Sequence, residues 1–400
     1  ADASVGWRVR AGEVEELLAA PAPNPGQEKA GLVAQQETEI AAASVAVGTR
    51  EDFETESDWR YGIGLELRQP VFDGFGTLAR VAAARAARDG RLASLREAAE
   101  LVALEAVQAH LDVLRTRSLV EIAEGNVLAH RRLVRRVRQL EQGGQVTQAD
   151  LAQASARLAI AEADFAERLG DLAEAVALYV SRVGRAPEGL AAPAPPQGRP
   201  ADEESAVATA LAGHPGLVGA DAEVAVGLAG VQRAQAPWWP QLDLLARASA
   251  DRSIEVLGER TLLAEALAPA TWNLYRGGGD SALLRQAEAE LAATRLDRAE
   301  RRRSVEEEVR VAYRALVAAE AIALPLQRHA DAAQQVLVAY GQQFDIGRRS
   351  LLDLLDAQGE LTAARLRAAD TQYRLLLAHY ELAYALGALT ATLGLAAPVP

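Results

Sequence analysis

Between Thr77 and Gln142 apolar positions recur at helical spacing, without proline and with almost no turn chemistry. Leu104, Val107, Leu111 and Leu114 follow one another at heptad spacing, and Val305, Val309, Ala312 and Leu316 repeat the pattern later in the chain. The first stretch predicts a single helix of about 65 residues. At 1.5 Å per residue it would be about 100 Å long, more than a globular core can use. A short glycine-bearing connection follows each long stretch, "QGGQVTQAD" or "FDIGRRSLLD", and then leucines seven apart, Leu151 with Leu158 and Leu354 with Leu361. Thr147 and Ser350 suit helix N-caps, each with an aspartate three residues on, Asp150 and Asp353, the spacing of a capping box. The expected elements are two very long antiparallel helical hairpins with both tips at the same end.

A different period precedes each hairpin. In "WRYGIGLELRQPVF" (59–72), Tyr61, Ile63, Leu65 and Leu67 alternate with Gly62, Gly64, Glu66 and Arg68, which predicts a strand with one apolar and one polar face. Further strands are expected over 240–251, 261–275 and 34–49. About four strands cannot close a barrel, which needs roughly eight, but strands pooled from several chains can. Two soluble hairpins on a small sheet remain the competing reading.

The two halves are copies. Adding 203 to a position finds its counterpart without a gap: Gly74 with Gly277, Glu105 with Glu308, Gly144 with Gly347, Asp150 with Asp353, Leu158 with Leu361, Gly184 with Gly387. An offset held over more than 100 residues marks a tandem duplication. The expected organisation is an N-terminal segment 1–36, a first repeat 37–189, a Pro/Ala-rich linker 190–205, a second repeat 206–392 and a tail 393–400. A shorter helix is expected over 206–236, ahead of "PWWPQ", where Trp238 and Trp239 suit either a membrane interface or plain packing. Residues 1–36 show no comparable helix.

Composition narrows the function. The net charge of −13 argues against nucleic acid, and the arginines of "RRLVRRVR" (131–138) read as a solvated helix face. With no cysteine, five scattered histidines and no phosphate loop, neither an enzyme nor a resident metal or cofactor is expected. No run approaches the roughly 20 apolar residues of a membrane-spanning helix. The opening residues lack signal-peptide features, so the chain is either cytoplasmic or already shorn of a leader.

With the duplicated "P-[VL]-F-D-G" type junction, the run "HPGLVGADAEVAVGLAGVQRAQAPWWPQL" and the tip "G-x-x-[ST]-x-x-D", the sequence resembles the TolC family of outer-membrane channels over roughly 59–190 and 206–390. The wording from Arg348 to Leu389 is most similar to members that serve type I secretion of protein toxins.

The resemblance implies an α+β homotrimer in which four strands per chain build a 12-stranded β-barrel in the outer membrane. Twelve helices would continue it as a tunnel through the periplasm. The tips would lie at the periplasmic end, with Asp353 and Asp356 lining the narrowest point and attracting or being blocked by cations. Gating contacts would fall on Asp150, Phe344 and Arg349. Phe344 stands where the family often has tyrosine, so a hydroxyl hydrogen bond is missing there. Gly143, Gly144, Thr147, Gly347, Arg348 and Ser350 would dock a periplasmic adaptor protein. The other implied partners are outer-membrane lipid and an inner-membrane ABC transporter or, alternatively, a proton-driven drug pump. A soluble periplasmic scaffold is the remaining alternative.

Overall fold

The computed structural model describes residues 44–49, 59–252 and 260–395. The chain divides into two compact units. One holds the described residues up to Arg80 with Val231–Gln286, and the other holds Val81–Gly230 with the chain from Ala287 onward. Each unit therefore draws on both copies of the duplication.

The first unit is a sheet. Strands β1 (Ser44–Thr49), β2 (Trp59–Asp73), β3 (Gln241–Arg252) and β4 (Arg260–Leu267) lie in that order, all antiparallel, and the short β5 (Ala270–Thr271) pairs with the start of β3. Residues opposite one another share a face. Ile63 faces Val45 and Ala250, Leu65 faces Ala248, Leu67 faces Ala246, and these alanines face Leu262, Ala264 and Ala266 in turn. Over Ile63–Leu67 and its partners on β3 and β4 this face is apolar, and it is open: Ile63 is 66% and Leu262 78% exposed. The other face carries Glu66, Arg68, Asp243, Arg247 and Glu265. There Arg247 bridges Glu66 at 3.0 Å and Glu265 at 3.6 Å, and Arg68 meets Asp243 at 2.6 Å.

Two strand expectations change. The strand read over 261–275 stops at Leu267, because Pro269 has no N–H to donate to a ladder; only β5 resumes the pairing. Of the strand read over 34–49, only Ser44–Thr49 lies among the described residues, and the N-terminal segment 1–36 lies outside them. In β2 the proline is accommodated by a register shift between Pro70 and Phe72.

The helices follow the duplication closely. Helix α1 (Gly76–Gln142) and its counterpart α5 (Gly279–Asp345) are both 67 residues long, with bounds 203 apart. Each returns through a shorter helix, α2 (Gln148–Val183) and α6 (Leu351–Ala385). Val113 of α1 packs on Ala175 and Tyr179 of α2. Ala330 and Ala333 of α5 pack on Leu361 and Ala364 of α6. Of the heptad positions, Leu104, Leu111, Val305, Val309 and Leu316 are buried. Among the described residues no helix is long and apolar enough to cross a membrane.

The helix expected over 206–236 is two: α3 (Glu203–Gly213) and α4 (Pro215–Gln235). His214 is extended between them, and Pro215 starts α4, where its missing N–H costs nothing. The Pro/Ala-rich linker and the residues just before it are held against the helices by their carbonyls. Pro187 O accepts from Arg117 at 3.0 Å, Ala194 O accepts from the Tyr380 hydroxyl at 2.8 Å, and Ala191 O lies 2.9 Å from His110 Nε2. At the far end, α7 (Leu389–Thr392) packs Leu389 among Leu104, Leu111 and Tyr380.

Candidate functional site: the hairpin tips

Both tips are built from the same three devices. The long helix ends in a Schellman turn: Gln145 N–H donates to Leu140 O at 2.9 Å and Gly144 N–H to Glu141 O at 2.8 Å. At the second tip, Arg348 N–H donates to Gln343 O at 2.8 Å and Gly347 N–H to Phe344 O at 3.0 Å. The glycines sit at φ 72° and 73°, the left-handed region that a side chain strains. A capping box then starts the returning helix. Thr147 N–H and Oγ1–H donate to Asp150 Oδ2 at 2.8 and 2.7 Å; Asp150 N–H donates back to Thr147 Oγ1 at 3.2 Å. Ser350 and Asp353 make the same set at 3.3, 2.8 and 3.1 Å. These bonds to the ionised form hold both carboxyls below their ordinary value, led by the Thr147 backbone for Asp150 and the Ser350 hydroxyl for Asp353.

The third device is an apolar cluster that joins the tips. Val134 and Val137 of α1, Ala154 of α2, and Leu351 and Leu355 of α6 are buried together, with Phe344 packed against them. Phe344 is thus a packing residue, and no hydroxyl is needed for what it does here. Arg349 lies 4.1 Å over the Tyr340 ring, donates to Gln343 Oε1 at 3.0 Å, and reaches Asp353 at 3.7 Å.

The two aspartates of α6 share one groove. Asp353 and Asp356, with Tyr340, His329 and Glu360, line a space of about 430 Å³ between α5 and α6. Asp353, Asp356 and Glu360 stand on one helix face, and His329 Nε2 lies 2.9 Å from Glu360. Asp356 also meets Arg157 of the first hairpin at 3.3 Å. Asp150 is on the other tip, closed on its own cap. Gly143, Gly144, Thr147, Gly347, Arg348 and Ser350 are all exposed. Among the described residues of one chain, no group of three or more histidines or carboxylates is arranged to hold a metal.

Sequence reasoning missed the ties between hairpins. Arg136 pairs with Asp345 at 2.6 Å, and Asn126 Oδ1 accepts from Gln358 at 3.1 Å and from Thr362 at 2.9 Å. The partners are about 200 residues apart in sequence, and no local spacing announces such a pair.

The model for outer membrane efflux proteins matches residues 206–388. An outer membrane efflux protein of Brucella suis biovar 1 (strain 1330), BepC, is 30% identical over 333 residues, covering 82% of this chain and 72% of that protein. The chain belongs to the outer membrane efflux protein family. Solved TolC-type channels have the same fold. CusC superposes with a TM-score of 0.76 at 17% identity over 91% of this chain and 89% of its own. VceC of Vibrio cholerae does so with a TM-score of 0.73 at 17% identity over 90% of each chain. Membership in the outer membrane efflux protein family places the chain in the bacterial outer membrane, extending into the periplasm, as part of an efflux channel rather than an enzyme.

Proposed function

We propose that three copies of this chain form the exit duct of a tripartite export machine, with the hairpin tips as its periplasmic iris. The observation that carries the reading is the two-faced sheet. Over Ile63–Leu67 and its partners one face is apolar and exposed, and the other carries the pairs Arg247 with Glu66 and Glu265 and Arg68 with Asp243. In water the open apolar face is a cost; against lipid it is a gain. Four main strands from each of three chains give the twelve that a closed barrel can use.

At the iris, Asp353 and Asp356 from three chains bring six carboxylates to one constriction, which attracts cations and repels anions. Asp150, Phe344 and Arg349 hold the tips in their closed packing. The glycines Gly143, Gly144 and Gly347, with Thr147, Arg348 and Ser350, present the docking end to a periplasmic adaptor.

Planar-bilayer conductance tests this. The purified protein should conduct with cation selectivity and be blocked by multivalent cations, and Asp353→Ala with Asp356→Ala should weaken both. A protein that never conducts, or a double variant with unchanged selectivity and block, defeats the proposal.

Type I secretion of a protein, powered by an inner-membrane ABC transporter, is the cargo reading we favour, because the second hairpin resembles members of that class. Multidrug efflux is the second reading; the Brucella suis relative is named an efflux protein. Deleting the gene separates them: loss of a secreted protein supports the first, increased drug sensitivity alone the second.

A further inference from the structure

Near the tips α1, α5 and α6 enclose a second groove of about 800 Å³, and its α1 wall is basic: Arg132, Arg135 and Arg136, with Gln139 beyond them. Arg136 is paired with Asp345. Arg132 and Arg135 are exposed, and neither has a hydrogen bond or ion pair among the described residues. Three guanidinium groups at i, i+3 and i+4 on one helix face repel one another, so the arrangement weakens the helix rather than supporting it.

The duplication supplies a control for what a merely solvated face needs. Residues 131–138 read RRLVRRVR, and the equivalent residues 334–341 read QQVLVAYG. Gln335 stands in place of Arg132 and Val338 in place of Arg135, and Val336 and Val338 are exposed at 43% and 52%. The second repeat therefore meets solvent at this height without a single arginine. The charge belongs to the first repeat alone, in a chain whose net charge is −13.

We propose that this groove is a docking surface for an acidic polypeptide segment of a periplasmic partner, held by the arginines that the first hairpin contributes to it. The inference rests on the reading of the tips as the docking end of an exit duct. Charge complementarity assigns the occupant: unneutralised guanidinium groups in a lined groove favour carboxylates, which they bind in two-pronged fashion.

The test uses the full-length channel in detergent and two fluorescent helical peptides of equal length. One carries a stripe of glutamates and the other lysines at the same positions. The glutamate peptide should bind, and its affinity should fall as salt rises from roughly 50 to 300 mM. Arg132→Glu with Arg135→Glu should weaken it about tenfold or more, and so should Arg132→Gln with Arg135→Val, which copies the second repeat and perturbs folding least. Val336→Gln with Val338→Gln should leave it unchanged.

Equal binding of the lysine peptide, or no loss in either arginine variant, overturns the proposal. So does failure of both arginine variants to assemble, which would make the groove a contact between copies. Block of the channel current by the glutamate peptide also overturns it, because the groove would then line the passage. Conductance of the same preparation is the separate readout for the duct. Conduction without peptide binding sinks the docking surface alone, and absent conduction sinks the duct.

Discussion

One hydroxyl and one carboxylate hold the start of each returning helix, and these four residues fix the geometry of the tips. Removing the Thr147 hydroxyl takes the side-chain acceptor from the Asp150 N–H, a loss of about 1 kcal/mol. Thr147→Ala should therefore raise amide exchange over 148–151 about fivefold, with exchange at the Ser350 tip unchanged. Equal exchange in variant and parent would mean that the capping box contributes nothing. The pH dependence follows from the same bonds. The carboxyls of Asp150 and Asp353 lie below their ordinary value of 3.8, so their contribution is complete above that value and is lost as pH falls through the lower folded value. Protection of both tips, corrected for intrinsic exchange, should be flat from neutral pH down to about 4 and drop in stronger acid. In Asp150→Asn the first tip should lose this acid step; an unchanged step would assign it to another group.

At the scale of elements, the ends of the long helices follow from glycines that tolerate positive φ, Gly144 and Gly347, and their lengths follow from the duplication. The seating of the final turn has another origin. Glu100 of α1 is 5% exposed, and its carboxylate accepts from Leu389 N–H at 2.7 Å, Thr390 N–H at 3.2 Å and the Thr390 hydroxyl at 2.5 Å. Glu100→Ala strips these donors of a charged acceptor and should cost about 1.5–3 kcal/mol locally. Limited proteolysis should then cut around 389–395 faster than in the parent, with Glu100→Gln intermediate. A cleavage rate equal to the parent's would show that packing of Leu389 alone holds the segment. No pattern in the sequence marks this contact, because Glu100 and Leu389 are 289 residues apart. The breaks at His214–Pro215 and at Pro269 are, by contrast, written locally in the prolines.

For the molecule as a whole, the sheet's two faces carry opposite expectations. Leu65 lies mid-strand on the apolar face, and Ser249 lies on the polar face opposite Gly64 and Leu263. Leu65→Arg should cost about 2–4 kcal/mol near the bilayer midplane and lower the amount of channel assembled in the outer membrane. Ser249→Arg should leave that amount unchanged and alter single-channel selectivity instead. Equal assembly of the two variants would remove the assignment of the faces to lipid and lumen.

The sequence alone determined the periodic parts: the 203-residue offset, two overlong helices, their capped and glycine-marked tips, and the two-faced strand at 59–72. Each is encoded by neighbours within a few turns or a few residues, where backbone preference and periodicity act directly. Tertiary structure decided which tip residues meet. It set Asp356 against Arg157, Phe344 into the core between the hairpins, Glu100 under the last turn, and three arginines into a groove their repeat counterpart lacks. Those contacts join residues far apart along the chain, and their energies depend on how packed helices bring side chains within a few ångströms, which no local spacing records.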